Sequence, residues 1–194
     1  MRIEAGFRGA DRSAVAALYW EAFGAKLGVV MGPKAKGLQF IDRMLDPTHA
    51  ICAVSEDGVL LGVAGFKTSK GALVGGDFSD LRAVYGALGA SWRALLLHVL
   101  ERDVENTRFL MDGIFVAPAA RGRGVGTALL DAICAEARTR GYSEVRLDVI
   151  DSNPRARALY ERCGFVAGKT SDLGPLRHVF GFRTATMMVR SSAP

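Results

Sequence analysis

No stretch of the chain limits its fold as much as the one from Met111 to Arg140. Met111 to Val116 is an apolar, β-like run, and a short turn with Pro118 follows it. Then come Arg121-Gly122-Arg123-Gly124-Val125-Gly126 and an amphipathic, helix-like stretch from Thr127 to Arg140. A strand that feeds a glycine-rich turn and then a helix is a device for holding an anion. Glycine lets backbone approach a ligand with no Cβ in the way. The first N–H groups of a helix have no partner within it, and the peptide dipoles place partial positive charge there. Arg121 and Arg123 add forked donors that fit phosphate oxygens. The stretch reads as a pyrophosphate cradle.

Two other cradles compete. The Walker pattern needs Gly-Lys-Ser/Thr, and no lysine follows these glycines. A dinucleotide turn is closer, because Val145 to Ile150 forms the next strand and carries Asp148 at a suitable distance. The spacing here is G-x-G-x-G, however, and the chain after Ile150 is too short to complete a doubly wound sheet.

Arg121-Gly122-Arg123-Gly124-Val125-Gly126 resembles the Q/R-x-x-G-x-G/A signature of the GCN5-related N-acetyltransferase (GNAT) superfamily. Gly113-Ile114-Phe115-Val116-Ala117-Pro118 and Asn153-Pro154-Arg155-Ala156-Arg157-Ala158-Leu159-Tyr160-Glu161-Arg162-Cys163-Gly164-Phe165 match the same pattern, in the same order. The likeness is strong from Met111 to Phe165 and faint elsewhere. It implies acetyl-CoA, or another acyl-CoA, as donor. It also implies an α/β fold, with a mixed, twisted sheet of about seven strands flanked by helices and split near the end of the central strand. Ile114, Phe115 and Val116 would line the donor site, with backbone N–H groups around Phe115 and Val116 facing the oxyanion. Thr127 would join the cradle. Asn153 resembles a residue that touches the pantetheine arm and is equally a helix cap. Ala156 would lie beside the donor, and Arg157 and Arg155 would reach its phosphates or stand in solvent. Tyr160 matches the position of the acid that protonates the leaving thiolate, or else packs in the core.

The 194 residues, 49% hydrophobic and 23% charged, suit one globular domain spanning 1–194. A net charge of +5 is scattered without a cationic block and decides little between an anionic ligand and nucleic acid. No nucleic acid or membrane partner is expected, since no run reaches transmembrane length and no apolar leader core is present. Cys52, Cys134 and Cys163 are odd in number and lie within apolar patterns, which favours reduced thiols in a cytoplasmic protein. His49, His98 and His178 show no metal spacing, so no metal is expected.

Taken in order, Met1–Arg8 predicts a strand and Ala10–Phe23 a helix carrying Val15, Leu18, Tyr19 and Ala22 on its apolar side. Gly24–Lys36 reads as a loop and Leu38–Leu45 as a short helix. In the family these elements border the acceptor pocket, which makes Tyr19, Trp20 and Glu21 candidates for it. His49–Ser55 and Val59–Thr68, joined by Glu56-Asp57-Gly58, predict a hairpin. Asp77–Arg102 suggests two helices, the first ending near Gly89 and the second carrying Trp92, Leu95, Leu96, Val99 and Leu100. This looks like a helical insertion over about 77–105, which would lid the acceptor site, make a dimer contact or pack on its own domain. Phe109–Val116 is the central strand, where Gly113 allows a bulge. Glu144–Ile150 is a strand, and Asn153 with Pro154 starts a helix that Gly164 ends. Phe165–Gly168 and Gly181–Val189 form the last strands, joined by a polar loop with Pro175 and His178.

Acyl transfer from a thioester to an amine needs the reactants held together, donors for the oxyanion, a base for the ammonium and an acid for the thiolate. Asp112 is the first candidate base, because a carboxylate inside a strand is costly unless paired or functional. Asp148 and Glu21 stand behind it. The expected activity is that of an N-acetyltransferase, moving an acetyl group from acetyl-CoA to a primary amine on a small molecule or peptide by direct attack. A catalytically inactive acyl-CoA-binding regulatory module and an NAD(P)-binding domain are the other readings. An exposed edge strand and the apolar insertion make a homodimer plausible.

Overall fold

Runs of Val, Ile, Leu and Phe bounded by turn residues become strands, and the chain gathers them into one open sheet. β1 (Arg2–Ala5), β2 (Ala50–Val54), β3 (Leu60–Thr68), β5 (Arg108–Val116), β6 (Glu144–Ile150), β8 (Thr184–Ser191) and β7 (Val166–Asp172) lie side by side in that order. The two-residue β4 (Gly71–Ala72) pairs with the end of β3. Each neighbouring pair is antiparallel except β5–β6. That is a mixed α/β sheet, not the parallel doubly wound sheet of a dinucleotide fold. The computed structural model describes residues 1–100 and 108–192. The end of the expected insertion, 101–105, lies outside them, as do the side chains of Val99 and Leu100.

Helices cover both faces. α1 (Arg12–Met31) and α2 (Lys34–Met44) place Val15 and Ile41 against Cys52, Val63 and Phe115. α4 (Val125–Thr139) places Leu129, Leu130 and Ile133 against Phe66, Phe109 and Leu147 on the opposite face. α5 (Pro154–Arg162) packs beside α4, close enough that a Cβ at Gly126 would stand 2.9 Å from Leu159. α3 (Phe78–Leu100) and α6 (Arg177–Phe180) complete the α1 side. Among the described residues no helix is long and apolar enough to cross a membrane.

Several elements depart from expectation, among them α2, which starts at Lys34 where a loop as far as Lys36 is expected. α1 does not stop at Phe23; it runs through Gly24 and Gly28 to Met31. Gly24 is there to seat the Trp20 indole, whose Nε1 would lie 2.9 Å from any Cβ at that position. Gly37 of α2 flanks the same ring, which a Cβ there would overlap. In the predicted insertion, α3 breaks at Gly86 (φ 73°, ψ 171°), a backbone that glycine adopts readily, and not near Gly89. Its inner face is tied to the end of α1. Tyr85 Oη donates to the Met31 carbonyl at 2.6 Å and Arg93 Nη2 to that of Gly32 at 2.9 Å, taking up orphan helix-end acceptors. Leu88, Trp92 and Leu95 face outward and are exposed. Lastly, β7 extends to Asp172, and the polar loop after it holds α6, closed by Gly181 in the left-handed region (φ 70°) with Phe180 and Phe182 buried on either side.

Candidate active site

The site begins with an extra residue. Gly65 of β3 faces Gly113 of β5, but Phe66 faces Met111, so Asp112 is surplus to the pairing and forms a β-bulge. A bulge bends its strand, and here β5 leaves β6. The two pair only at Arg108–Glu144, Phe109–Val145 and Leu110–Arg146, whereas β6 stays with β8 along its whole length. The sheet therefore parts from Met111 onward. Ala117 N–H bonds to the Leu61 carbonyl at 2.8 Å, which fixes the alternation of the antiparallel ladder. Phe115 N–H then turns toward β3, while those of Ile114 and Val116 face the opened side. Phe115 was expected to present a donor there; its ring instead packs at 5.7 Å from Tyr19 and 6.1 Å from Phe23.

The turn after β5 runs through Pro118–Ala120 to Gly122 (φ 75°) and Gly124 (φ 79°), the N-cap of α4. Apart from the neighbouring residues in the chain, no atom of the described residues lies within 4 Å of where a Cβ at either glycine would stand, so backbone borders open space. Ala128 N–H bonds to the Gly124 carbonyl at 3.0 Å, which leaves the N–H groups of Val125, Gly126 and Thr127 without helical partners. The Val125 side chain is buried in the core and Gly126 makes room for Leu159, so both can offer only backbone. Arg121 is already engaged: Nε donates to the Val116 carbonyl at 3.1 Å and Nη2 pairs with Glu21 Oε1 at 2.7 Å. Arg123 and Thr127 are exposed.

On α5, Asn153 acts as the cap, its Oδ1 accepting the Ala156 N–H at 3.1 Å. Ala156 is half-buried, Arg155 exposed, and Arg157 pairs with Glu161 at 2.9 Å. Tyr160 faces inward at 6% exposure, its ring 6.0 Å from Phe165, and burial pushes its phenol above the usual range.

Beside the bulge lies a cavity of about 530 Å³. Tyr19, Phe23, Leu27 and Met31 line it as one stripe of α1, four residues apart. Phe40 and Ile41 come from α2, and Phe78, Leu81, Ala94 and Leu97 from α3. Among the described lining residues, Lys67, Asp77, His98 and Asp112 carry ionisable side chains, as does Tyr19. Burial raises the Tyr19 phenol, and the nearby Asp112 carboxylate raises it further. Of the expected acceptor residues only Tyr19 reaches the cavity; Trp20 is held between glycines and Glu21 by Arg121. Of the three candidate bases only Asp112 lines it, Asp148 lying 3.6 Å from Arg146 on β6. Leu27, Met31, Lys67 and His98 carried no motif. The α1 stripe was visible in the spacing but was hidden by reading Gly24 as a break. His49 is buried in a network, Nδ1 2.9 Å from Asp46 and Nε2 2.9 Å from Thr68. Among the described residues no cluster of His, Cys, Asp or Glu groups as metal ligands.

A family model described as acetyltransferase (GNAT) family matches residues 13–165. Mycothiol acetyltransferase of Beutenbergia cavernae is 52% identical over 50 residues, covering 26% of this chain and 17% of that protein. Streptothricin acetyltransferase of Streptomyces lavendulae is 32% identical over 90 residues, 46% of this chain and 47% of its own. These matches span less than half the length of either relative. A solved GCN5-related N-acetyltransferase from Kribbella flavida shares the fold, with a TM-score of 0.64 at 20% identity over 98% of this chain and 96% of that one.

Proposed function

The chain belongs to the acetyltransferase (GNAT) family, and on that premise we propose that it moves an acetyl group from acetyl-CoA to a primary amine by direct attack. One observation carries this reading. The same strand, β5, leads at its end into an open anion cradle and bears at its bulge a carboxylate that lines a cavity.

Bound acetyl-CoA supplies a thioester, an acyl group already activated for attack. The chain's own residues do the rest. The amides of Val125, Gly126 and Thr127, with Arg121 and Arg123, hold the pyrophosphate, Arg121 exchanging Glu21 for phosphate oxygen. Asn153 and Ala156 border the pantetheine arm, with Arg157 toward its phosphates. The Ile114 and Val116 N–H groups, on the parted edge of β5, stabilise the oxyanion. Asp112 takes the proton from the ammonium, directly or through water. Tyr160, kept protonated by burial, donates toward the leaving sulfur. Cys52, Cys134 and Cys163 are all free thiols, which supports a cytoplasmic setting.

The deciding experiment is calorimetric titration with acetyl-CoA, run beside Arg121→Ala/Gly124→Ala. Micromolar binding that the double variant abolishes is expected, because alanine at Gly124 is strained at φ 79° and intrudes on the open space. No binding by the natural protein would sink the reading. Binding without turnover on any amine would mark an acyl-CoA-binding module instead. For Tyr160→Phe, steady-state kinetics should show kcat lowered about 100-fold with acetyl-CoA affinity unchanged. Unaltered kcat would leave Tyr160 a packing residue.

A further inference from the structure

We infer that Glu21 is a built-in competitor for the donor's phosphates: its carboxylate occupies Arg121 in the free protein, yields it when acetyl-CoA binds and takes it back as CoA leaves. This rests on the acetyl-transfer reading above and names a control on its donor site.

Arg121 stands in the turn between β5 and α4, and Glu21 stands on α1. Nη2 of Arg121 donates to Glu21 Oε1 at 2.7 Å, at the short end of the range for a charge-assisted bond. Nε donates to the Val116 carbonyl at 3.1 Å, which ties the guanidinium back to the end of β5. A carboxylate therefore already sits where the turn offers a cation to an anion. Arg157 shows the contrast. Its partner Glu161 lies four residues on in the same helix, so that pair travels with α5 as a unit. The partner of Arg121 belongs to another element, and the two can separate.

The strength of the contact suits exchange. The Arg121 and Glu21 side chains are 53% and 46% exposed, and a pair so open to water is weak. A pyrophosphate meets the amides of Val125, Gly126 and Thr127 as well as the arginine, so it displaces a lone carboxylate. The displaced carboxylate stays tethered to α1, close to the anion that replaced it, and like charges repel. Glu21 thus opposes donor and product alike. CoA keeps every phosphate of acetyl-CoA, so the cradle by itself would hold the product as firmly as the substrate. A carboxylate poised to recover Arg121 loosens that hold, and product release is a common limit on turnover.

The test is calorimetric titration with acetyl-CoA and with CoA. S-acetylpantetheine, which lacks the phosphates, serves as control through its KM as donor. Glu21→Gln should tighten acetyl-CoA and CoA about three- to tenfold and leave the S-acetylpantetheine KM unchanged. Added to Arg121→Ala, the same substitution should move the acetyl-CoA Kd less than about twofold, because the group it competes for is gone. Unchanged or weaker acetyl-CoA binding in a Glu21→Gln protein that melts near the natural temperature overturns the inference. So does equal tightening with and without Arg121, the mark of a general field effect. A lowered KM for S-acetylpantetheine overturns it as well. If acetyl-CoA binds the natural protein and Arg121→Ala binds it equally well, this inference fails and the proposed activity stands. If acetyl-CoA does not bind, both fail.

Discussion

Gly37→Ala should destabilise the protein by about 2–3 kcal/mol and lower its melting temperature by roughly 5–10 °C. A methyl group within an α-helix ordinarily helps, since alanine is favoured over glycine by about 1 kcal/mol. Here it meets the Trp20 indole, which is already pressed against Gly24 on its own helix. The ring has no slack on either side, because it also packs both in the cluster under the sheet and in the one between α1, α2 and α3. α2 must move or the indole must leave. A double-mutant cycle isolates the clash. Trp20→Ala alone should cost about 3–5 kcal/mol, and adding Gly37→Ala to it should be neutral or mildly stabilising. Equal penalties for Gly37→Ala with and without the indole would place the strain elsewhere. Because α2 supplies Phe40 and Ile41 to the cavity wall, amine KM should rise in the single variant as well.

Asp112→Asn should lower kcat for amine acetylation by about 10²–10³-fold, the usual worth of a positioned general base. Asparagine matches aspartate in shape and leaves the bulge intact, so melting temperature and acetyl-CoA affinity should barely change. The partition between kinetic constants carries the argument. Removing a base depresses kcat and kcat/KM together, whereas removing a mere counter-charge raises KM and spares kcat. A variant with natural kcat and weakened amine binding would reassign Asp112 to recognition and leave the base to be sought among the cavity's other groups, His98 first.

Much of the strand–turn–helix stretch and of α5 was legible because its signals are local. The apolar run, the glycine–arginine turn and the Asn153-Pro154 helix start each lie within a few residues, and each formed where its own chemistry placed it. Even the bulge was readable, through the pairing of a charged residue with Gly113. The cavity and the contacts that tie α1 to the glycine–arginine turn are built from distant parts. Glu21 and Arg121 meet across 100 positions, and nothing near either residue announces the other. Gly24 reads as a helix breaker on propensity alone; only the indole four residues earlier and Gly37 on a separate helix explain it. Gly86 and Gly89 are chemically identical, and the choice between them as the break was made by how α3 docks on the end of α1.

The bulge also separates two kinds of importance that usually coincide. What residue 112 is decides the charge presented to the cavity. That there is a residue 112 at all decides whether β5 has one member more than β3 can match. Substitution edits the first property and leaves the second untouched. Deletion of the position would restore an even count, let the ladder close in step, and favour continued pairing of β5 with β6 past Leu110. The opening in the sheet is thus encoded as a matter of arithmetic, one residue in the middle of a strand, independent of any side chain that happens to occupy it.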